Sequence, residues 1–321
     1  MLKKVLLLSK KIIPLFIGIF FIYLSYQNTT PEDRTNIFKY IKNADYRFVI
    51  LSTFFGILSH ISRAVRWRYL LTPLGYHPKT INLILAVLIG YLSNLGIPRS
   101  GELLRATAMD RYENIPFQKG FGTVITERFI DLAILICCIL FALGLKFDLI
   151  INYLNLKDLN FFQSGLSFIT IVIGFFLIRK FFLQSNHHFT ERIKQFFHGI
   201  WEGIVSIKYM KKKGLFVTHT FFIWLMYVLM FWIIKFSIHE TVNLEVDALI
   251  TAFVVGGLSI SATNGGIGIY PYSVSLVLIA FGISKESSLA FGWIMWTCQT
   301  LMIVSFGAMA FFALPLVNRQ K

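Results

Sequence analysis

Three ionisable residues, Glu127, Arg128 and Asp131, fall within five positions of an otherwise apolar run. Glu127 and Asp131 are four apart and share one face of a helix, whereas Arg128 points about 100° away, toward another helix. If the run lies in lipid, each charge costs about 2.5–3.5 kcal/mol on insertion scales unless it faces protein or water. Such a group suits binding of an anion, carriage of a proton, or a buried ion pair that fixes packing. A second group, Pro98, Arg99, Ser100, Gly101, Glu102 and Arg105, follows the apolar stretch 81–97. Ser100 suits a helix N-cap and Glu102 its first turn. The free amides of that helix start, with Arg99 beside them, would form an anion site. The alternative is a loop and a surface helix whose arginines snorkel.

Asn264-Gly265-Gly266-Ile267-Gly268 interrupts another apolar stretch, and its glycines permit a bend and close approach of the backbone to a ligand. Tight helix–helix contact needs small residues too, so the position of this cluster, matching that of Pro98, gives it weight. Pro98, Gly101 and Gly268 read as hinges. Arg63, Arg66 and Trp67 close an apolar segment and suit either an interfacial anchor, an aromatic flanked by cations, or a direct role. His60 lies on the same segment and reads as structural.

The elements that must position these residues are membrane helices. The chain has 321 residues, 56% hydrophobic, with a mean hydropathy of +0.66, above the roughly 45–50% apolar content of soluble domains. A single polytopic domain over 1–321 is expected. The net charge of +15 clusters at the ends of apolar segments, as orientation in a membrane requires. No basic face with interleaved aromatics points to nucleic acid. Cys137, Cys138 and Cys298 sit in apolar runs without metal-ligand spacing, so neither a disulfide framework, a zinc site nor a cofactor is expected. The lysine-flanked N-terminal run lacks a small-residue cleavage site and reads as an uncleaved span.

Crossing about 30 Å of hydrocarbon takes around 20 apolar residues. Segments near 6–26, 47–68, 118–144, 161–178, 215–238 and 288–314 qualify. Residues 81–97, which run into Pro98 and then turn amphipathic, and 248–262, which run into the glycine cluster and become apolar again to about Ile283, look instead like broken-helix, re-entrant hairpins. Basic loops place both termini and the loop 179–214 in the cytoplasm, and the loop 239–247, without Lys or Arg, outside. The expected fold is therefore all-α: six full transmembrane helices plus two re-entrant hairpins in an inverted repeat. The pseudo-repeats cover about 1–145 and 155–321 and are joined by an outside loop, the plan of many secondary transporters. Eight or nine plain spans, kinked at Pro98 and the glycines, are the alternative.

Several of these residues in order resemble the transmembrane domain family of lysylphosphatidylglycerol synthase, the flippase portion of the multiple peptide resistance factor. They are Arg63, Arg66 and Trp67; Asn94, Pro98, Gly101, Glu102 and Arg105; Glu127, Arg128 and Asp131; and Gly265, Gly266 and Gly268. The resemblance implies a membrane protein that moves lipids or lipid-linked head groups between leaflets. It also implies a stand-alone form, because a chain ending at Lys321 leaves no room for the soluble aminoacyl-transferase domain. In one respect the chain departs from the family: its late motif usually reads Pro-Gly-Gly with a Glu after the last Gly, whereas here Asn264 replaces the Pro and 269–272 carry no carboxylate.

The expected function is a translocase of a phosphate-bearing phospholipid or lipid-linked head group in a bacterial-type inner membrane, rather than an enzyme. Arg99, Arg128 and the helix start at Ser100 would hold the phosphate. Glu102, Glu127 and Asp131 would position the arginines or meet an amine, and Arg105, Asn264, Gly265 and Gly266 would complete the site. Membrane and lipid are the expected partners, and no P-loop supplies ATP. The alternatives are an intramembrane enzyme acting on a lipid phosphate, with Glu127 or Asp131 as general base, and a non-transporting subunit of an envelope-biosynthesis complex. No GxSxG and no His–carboxylate pairing supports the enzyme.

Overall fold

A computed structural model describes residues 19–145, 188–260 and 263–319. The expected span 161–178, the linking loop near 146–155, the start of span 6–26 and residues 179–187 of the basic loop lie outside the described residues.

Among the described residues every regular element is helical. In chain order they are α1 (19–27), α2 (Pro31–Lys42), α3 (Tyr46–Leu71), α4 (Thr80–Gly96), α5 (Ser100–Glu113), α6 (Phe117–Leu145), α7 (His188–Val205), α8 (Lys213–Ile234), α9 (Val246–Ile260), α10 (Ile269–Ala280) and α11 (Lys285–Val317). Four of them, α3, α6, α8 and α11, are long and apolar enough to cross a membrane. The protein is an all-α, multi-pass membrane protein. The helix starts follow local chemistry. Thr30 and Asp33 form a reciprocal capping box ahead of Pro31, and the Asp45 carboxylate accepts from the Arg47 N–H at 3.0 Å to start α3.

Helices α4 and α5 fold back on each other as a hairpin. Ile97 is extended, as the residue before a proline prefers, and Arg99 turns the chain in the left-handed region at φ 62°. The arms approach so closely that a Cβ on Gly101 would lie 2.1 Å from the Gly90 carbonyl oxygen. Gly101 therefore serves close packing inside α5 rather than the bend itself. Helices α9 and α10 form the second hairpin, and Gly265, Gly266 and Gly268 take positive φ in its turn, which only glycine does without strain.

The two hairpins enter from opposite ends of the bundle. At one end, the side-chain amides of Asn82 (α4) and Asn318 (after α11) exchange hydrogen bonds at 2.9 and 3.0 Å, and Glu113 (α5) accepts from the Lys79 N–H at 3.0 Å. At the other, Glu240 accepts from Ser284 and Ser287 at 2.5 and 2.7 Å and from Tyr40, and Lys285 donates to Asp33 at 2.9 Å. These contacts join α2, the link into α9 and the start of α11. The hairpin tips meet inside, where a Cβ on Gly265 would lie 2.5 Å from Leu95 Cδ2. Two apolar clusters hold the frame: Phe231, Ile234, Leu278 and Phe291 toward the Glu240 end, and Trp67, Leu70, Leu83 and Met109 toward the Asn318 end.

Part of the stretch expected as a basic loop is helical. Helix α7 packs along the first half of α6 and leaves Phe197 and Trp201 exposed. These two are one turn apart on one face, a helical period that a charge count over 179–214 does not register.

Candidate functional site

Glu127 lies ten residues, about 15 Å, beyond the start of α6, and Asp131 one turn further. Opposite them, Arg63 and Arg66 are three apart on α3 and so project from one face of it. The four side chains interlock. Asp131 accepts from Arg63 at 2.5 Å and from Arg66 at 2.9 Å; Glu127 accepts from Arg66 at 3.1 Å and from Arg105 on α5 at 2.5 Å. Arg66 and Glu127 are 0% exposed. Three helices thus meet through one ion network, in which every carboxylate oxygen of Glu127 and Asp131 has a guanidinium.

Neutral groups complete it. Arg66 also donates to Thr220 at 3.2 Å and Arg63 to the Tyr227 hydroxyl at 3.2 Å, while the Tyr227 and Tyr91 hydroxyls lie 3.3 Å apart. Trp67 donates to Thr123 at 2.8 Å, and the Arg105 guanidinium stacks 4.2 Å above its ring. Arg63, Arg66 and Trp67 are therefore buried ligands of the network, not an interfacial anchor. The charges of Glu127 and Asp131 draw them inward, and a guanidinium can bridge two carboxylates where an exposed one would bind only water. The one-face spacings of Arg63 and Arg66, three apart, and of Glu127 and Asp131, four apart, were the signal for this pairing. Nothing in the sequence marked Tyr91, Thr220 or Tyr227.

Arg128 differs from the other three arginines. Its side chain is 41% exposed, and its nearest carboxylates, Glu102 on α5 and Asp131, stand 4.0 and 3.9 Å away. The Oε2 of Glu102 is buried without a partner, as is the Nε of Arg128 and of each of the other three arginines. Four guanidiniums face three carboxylates here, so the cluster carries a positive charge beyond what its carboxylates offset, at its loosely paired edge.

The helix start at Ser100 is not the open anion site expected. Arg99, not Ser100, holds the N-cap position, and the Ser100 hydroxyl donates back to the carbonyls of Ile97 and Ser93 at 2.7 and 3.1 Å. The Gly101 amide is taken by Asn94 Oδ1 at 2.7 Å. The physical reason is the tight turn: the last turn of α4 lies against the first of α5 and supplies the acceptors itself. Arg99 is exposed at the tip and, among the described residues, forms no ion pair. Gly265 and Gly266 sit against Leu95 and Tyr270, with the Gly265 carbonyl accepting from Trp296 at 2.9 Å. They shape the meeting of the hairpin tips and are not joined to the ion network. The Asn264 side chain lies outside the described residues. A separate cleft of about 430 Å³, between the start of α6 and α7, is lined by Lys119, His198 and Glu202 among others. Lys119 and Glu202 already neutralise each other there at 2.8 Å.

The profile of the lysylphosphatidylglycerol synthase transmembrane region matches residues 11–307. A UPF0104 membrane protein of Methanocaldococcus jannaschii is 28% identical over 286 residues, covering 85% of this chain and 78% of its own. The glycosyltransferase AglD of Haloferax volcanii is 32% identical over 101 residues, 31% of this chain and 16% of its own. No solved structure matches.

Proposed function

The chain belongs to the lysylphosphatidylglycerol synthase transmembrane family, and from that premise we propose that it is a flippase-like translocase for a phosphate-bearing membrane lipid, acting without bond cleavage. The observation that carries the reading is Arg128: a guanidinium without a carboxylate in hydrogen-bond range, at the edge of a network whose other arginines each donate to a carboxylate. A lipid phosphate supplies the missing negative charge. Arg99, exposed at the hairpin tip, offers a second cation, while Glu127 and Asp131 hold the remaining arginines in place.

The two hairpins, entering from opposite ends with their tips in contact, fit an inverted repeat in which rocking of the halves exposes the site to each leaflet in turn. In this reading the Asn318 end faces the cytoplasm of a bacterial-type inner membrane, with both termini on that side; the basic segments support that orientation. Moving one charge across 100 mV is worth about 2.3 kcal/mol, so the membrane potential biases transport of a charged lipid.

The test is movement of a fluorescent anionic phospholipid in proteoliposomes, with mass spectrometry to verify that the lipid is recovered unchanged. Arg128→Ala is expected to abolish movement while the protein still inserts. Arg128→Lys is expected to lose most of it, because a point ammonium lacks the planar fork that grips a phosphate in two places. Full activity of Arg128→Ala would leave Arg128 a packing role only and sink the reading.

A further inference from the structure

His60 is 6% exposed, yet both of its ring nitrogens lack a hydrogen-bond partner. Its ring centroid lies 4.2 Å from that of Tyr91, and the Tyr91 hydroxyl meets that of Tyr227 at 3.3 Å. The Tyr227 ring in turn packs edge-on against Trp224 at 6.1 Å, and the indole N–H of Trp224 is also buried and unpartnered. A continuous row of rings from α3, α4 and α8 therefore contains three polar nitrogens with nothing to bond. Tyr91, Trp224 and Tyr227 are themselves only half-buried, so the row reaches the surface of the bundle. It connects to Arg128 through Arg63, which donates to the Tyr227 hydroxyl at 3.2 Å and to Asp131; Asp131 lies 3.9 Å from Arg128, and Arg128 4.0 Å from Glu102, whose Oε2 is unpartnered.

Buried polar atoms almost always find partners, and leaving one unmade is costly. What would satisfy these can be read from their chemistry. Trp224 donates; neutral His60 donates through one nitrogen and accepts through the other; Glu102 Oε2 accepts. An ammonium only donates and leaves Trp224 and one His60 nitrogen unmet. A phosphate oxygen only accepts and leaves Glu102 unmet. A hydroxyl does both, and the flat faces of Tyr91 and Trp224 suit the C–H face of a polyol.

We infer that the row His60–Tyr91–Tyr227–Trp224, with Glu102, is a subsite for a hydroxyl-rich head group, so that the substrate is a polyol phosphate lipid rather than an aminoalkyl one. This rests on the reading of Arg128 as the phosphate ligand. The polyol is a glycerol or a sugar, and both present the same vicinal hydroxyls.

The test is equilibrium binding to the purified full chain of four water-soluble probes: sn-glycerol 3-phosphate, glucose 1-phosphate, phosphoethanolamine and inorganic phosphate. The wild type is expected to bind at least one of the first two ten-fold or more tighter than the last two, and which one it prefers identifies the polyol. His60→Phe and Trp224→Phe keep the rings but remove the polar nitrogens. Each should bring that ratio close to one without changing inorganic phosphate binding. His60→Gln, which restores a donor and an acceptor, should retain the preference and report on any folding defect of the Phe variant. No preference in the wild type, tightest binding of phosphoethanolamine, or equal weakening of all four probes in the Phe variants would overturn the subsite. Phosphate binding that survives Arg128→Ala while the polyol preference persists would instead overturn the role given to Arg128.

Discussion

Both carboxylate oxygens of Glu127 are taken, one by Arg66 at 3.1 Å and the other by Arg105 at 2.5 Å, so the residue acts by holding two guanidiniums from different helices. Glutamine keeps one oxygen acceptor but turns an amide N–H₂ toward the second arginine, which itself can only donate. Breaking a buried ion pair from one side costs about 3–5 kcal/mol because the remaining charge is stranded. Glu127→Gln is accordingly expected to lose transport and lipid binding at every pH and to melt at a lower temperature. Retained binding with loss only of the pH dependence of transport would identify Glu127 instead as a proton carrier. Unchanged rate and unchanged pH profile would exclude both roles.

Two elements make predictions of their own. The α4–α5 hairpin depends on the contact of Gly101 with Gly90, where an added Cβ would sit 2.1 Å from backbone oxygen. Backbone yields only by separating the arms, and Arg105 moves with its arm away from Glu127. Gly101→Ala should therefore cut transport at least ten-fold in the vesicle assay and lower the melting temperature. Gly96→Ala, where an added Cβ meets nothing within 4 Å, should leave both near wild type. At the opposite end, Asp33 ties α2 to α11. Hydrogen bonds from Thr30 and Lys285 hold its carboxyl down at about 2, from 3.8. A carboxyl whose folded pKa is lowered stabilises the fold above its unfolded value and loses that contribution as pH falls through the folded one. Bonds from Ser284, Tyr40 and Ser287 lower Glu240 in the same direction. The attachment of α2 should thus be intact at neutral pH and weaken between about pH 4 and pH 2. Amide exchange in α2 across that range would follow it, and Asp33→Asn should show the fast exchange already at pH 6.

At the scale of the molecule, the crossing pattern is the property most exposed to test. Lys79 and Glu113 are hydrogen-bonded to each other across the base of the first hairpin, which brings the residues around 79 and 111 to one end of the bundle. Single cysteines introduced on a background without Cys137, Cys138 and Cys298 should label from the cytoplasm at Lys79, Arg111, Asn114 and His188, and from outside at Asn36 and Asn243. Labelling of Lys79 and Arg111 from opposite sides would mean that the hairpin crosses the membrane, and the inverted repeat would fall with it.

The membrane class and the helix boundaries of α3, α6, α8 and α11 were legible in the chain because hydrophobic length and flanking charge are local quantities, summed over neighbours in sequence. So were both hairpin turns: proline at 98 and glycine at 265, 266 and 268 alter backbone freedom wherever the chain goes. The importance of Glu127, Arg128 and Asp131 was visible for the same reason, as charge in an apolar run. Their partners were not. Whether Arg66 caps a span at an interface or crosses to Glu127 depends on which helix lies opposite α3, and that is set by packing between residues 61 positions apart. Likewise Ser100 has the chemistry of an N-cap, yet the neighbouring arm of the hairpin claims its hydroxyl and supplies Asn94 to the amide of Gly101. Local sequence determines which groups are expensive to bury; tertiary structure decides which of them satisfy one another, and so leaves Arg128 as the loosely paired charge.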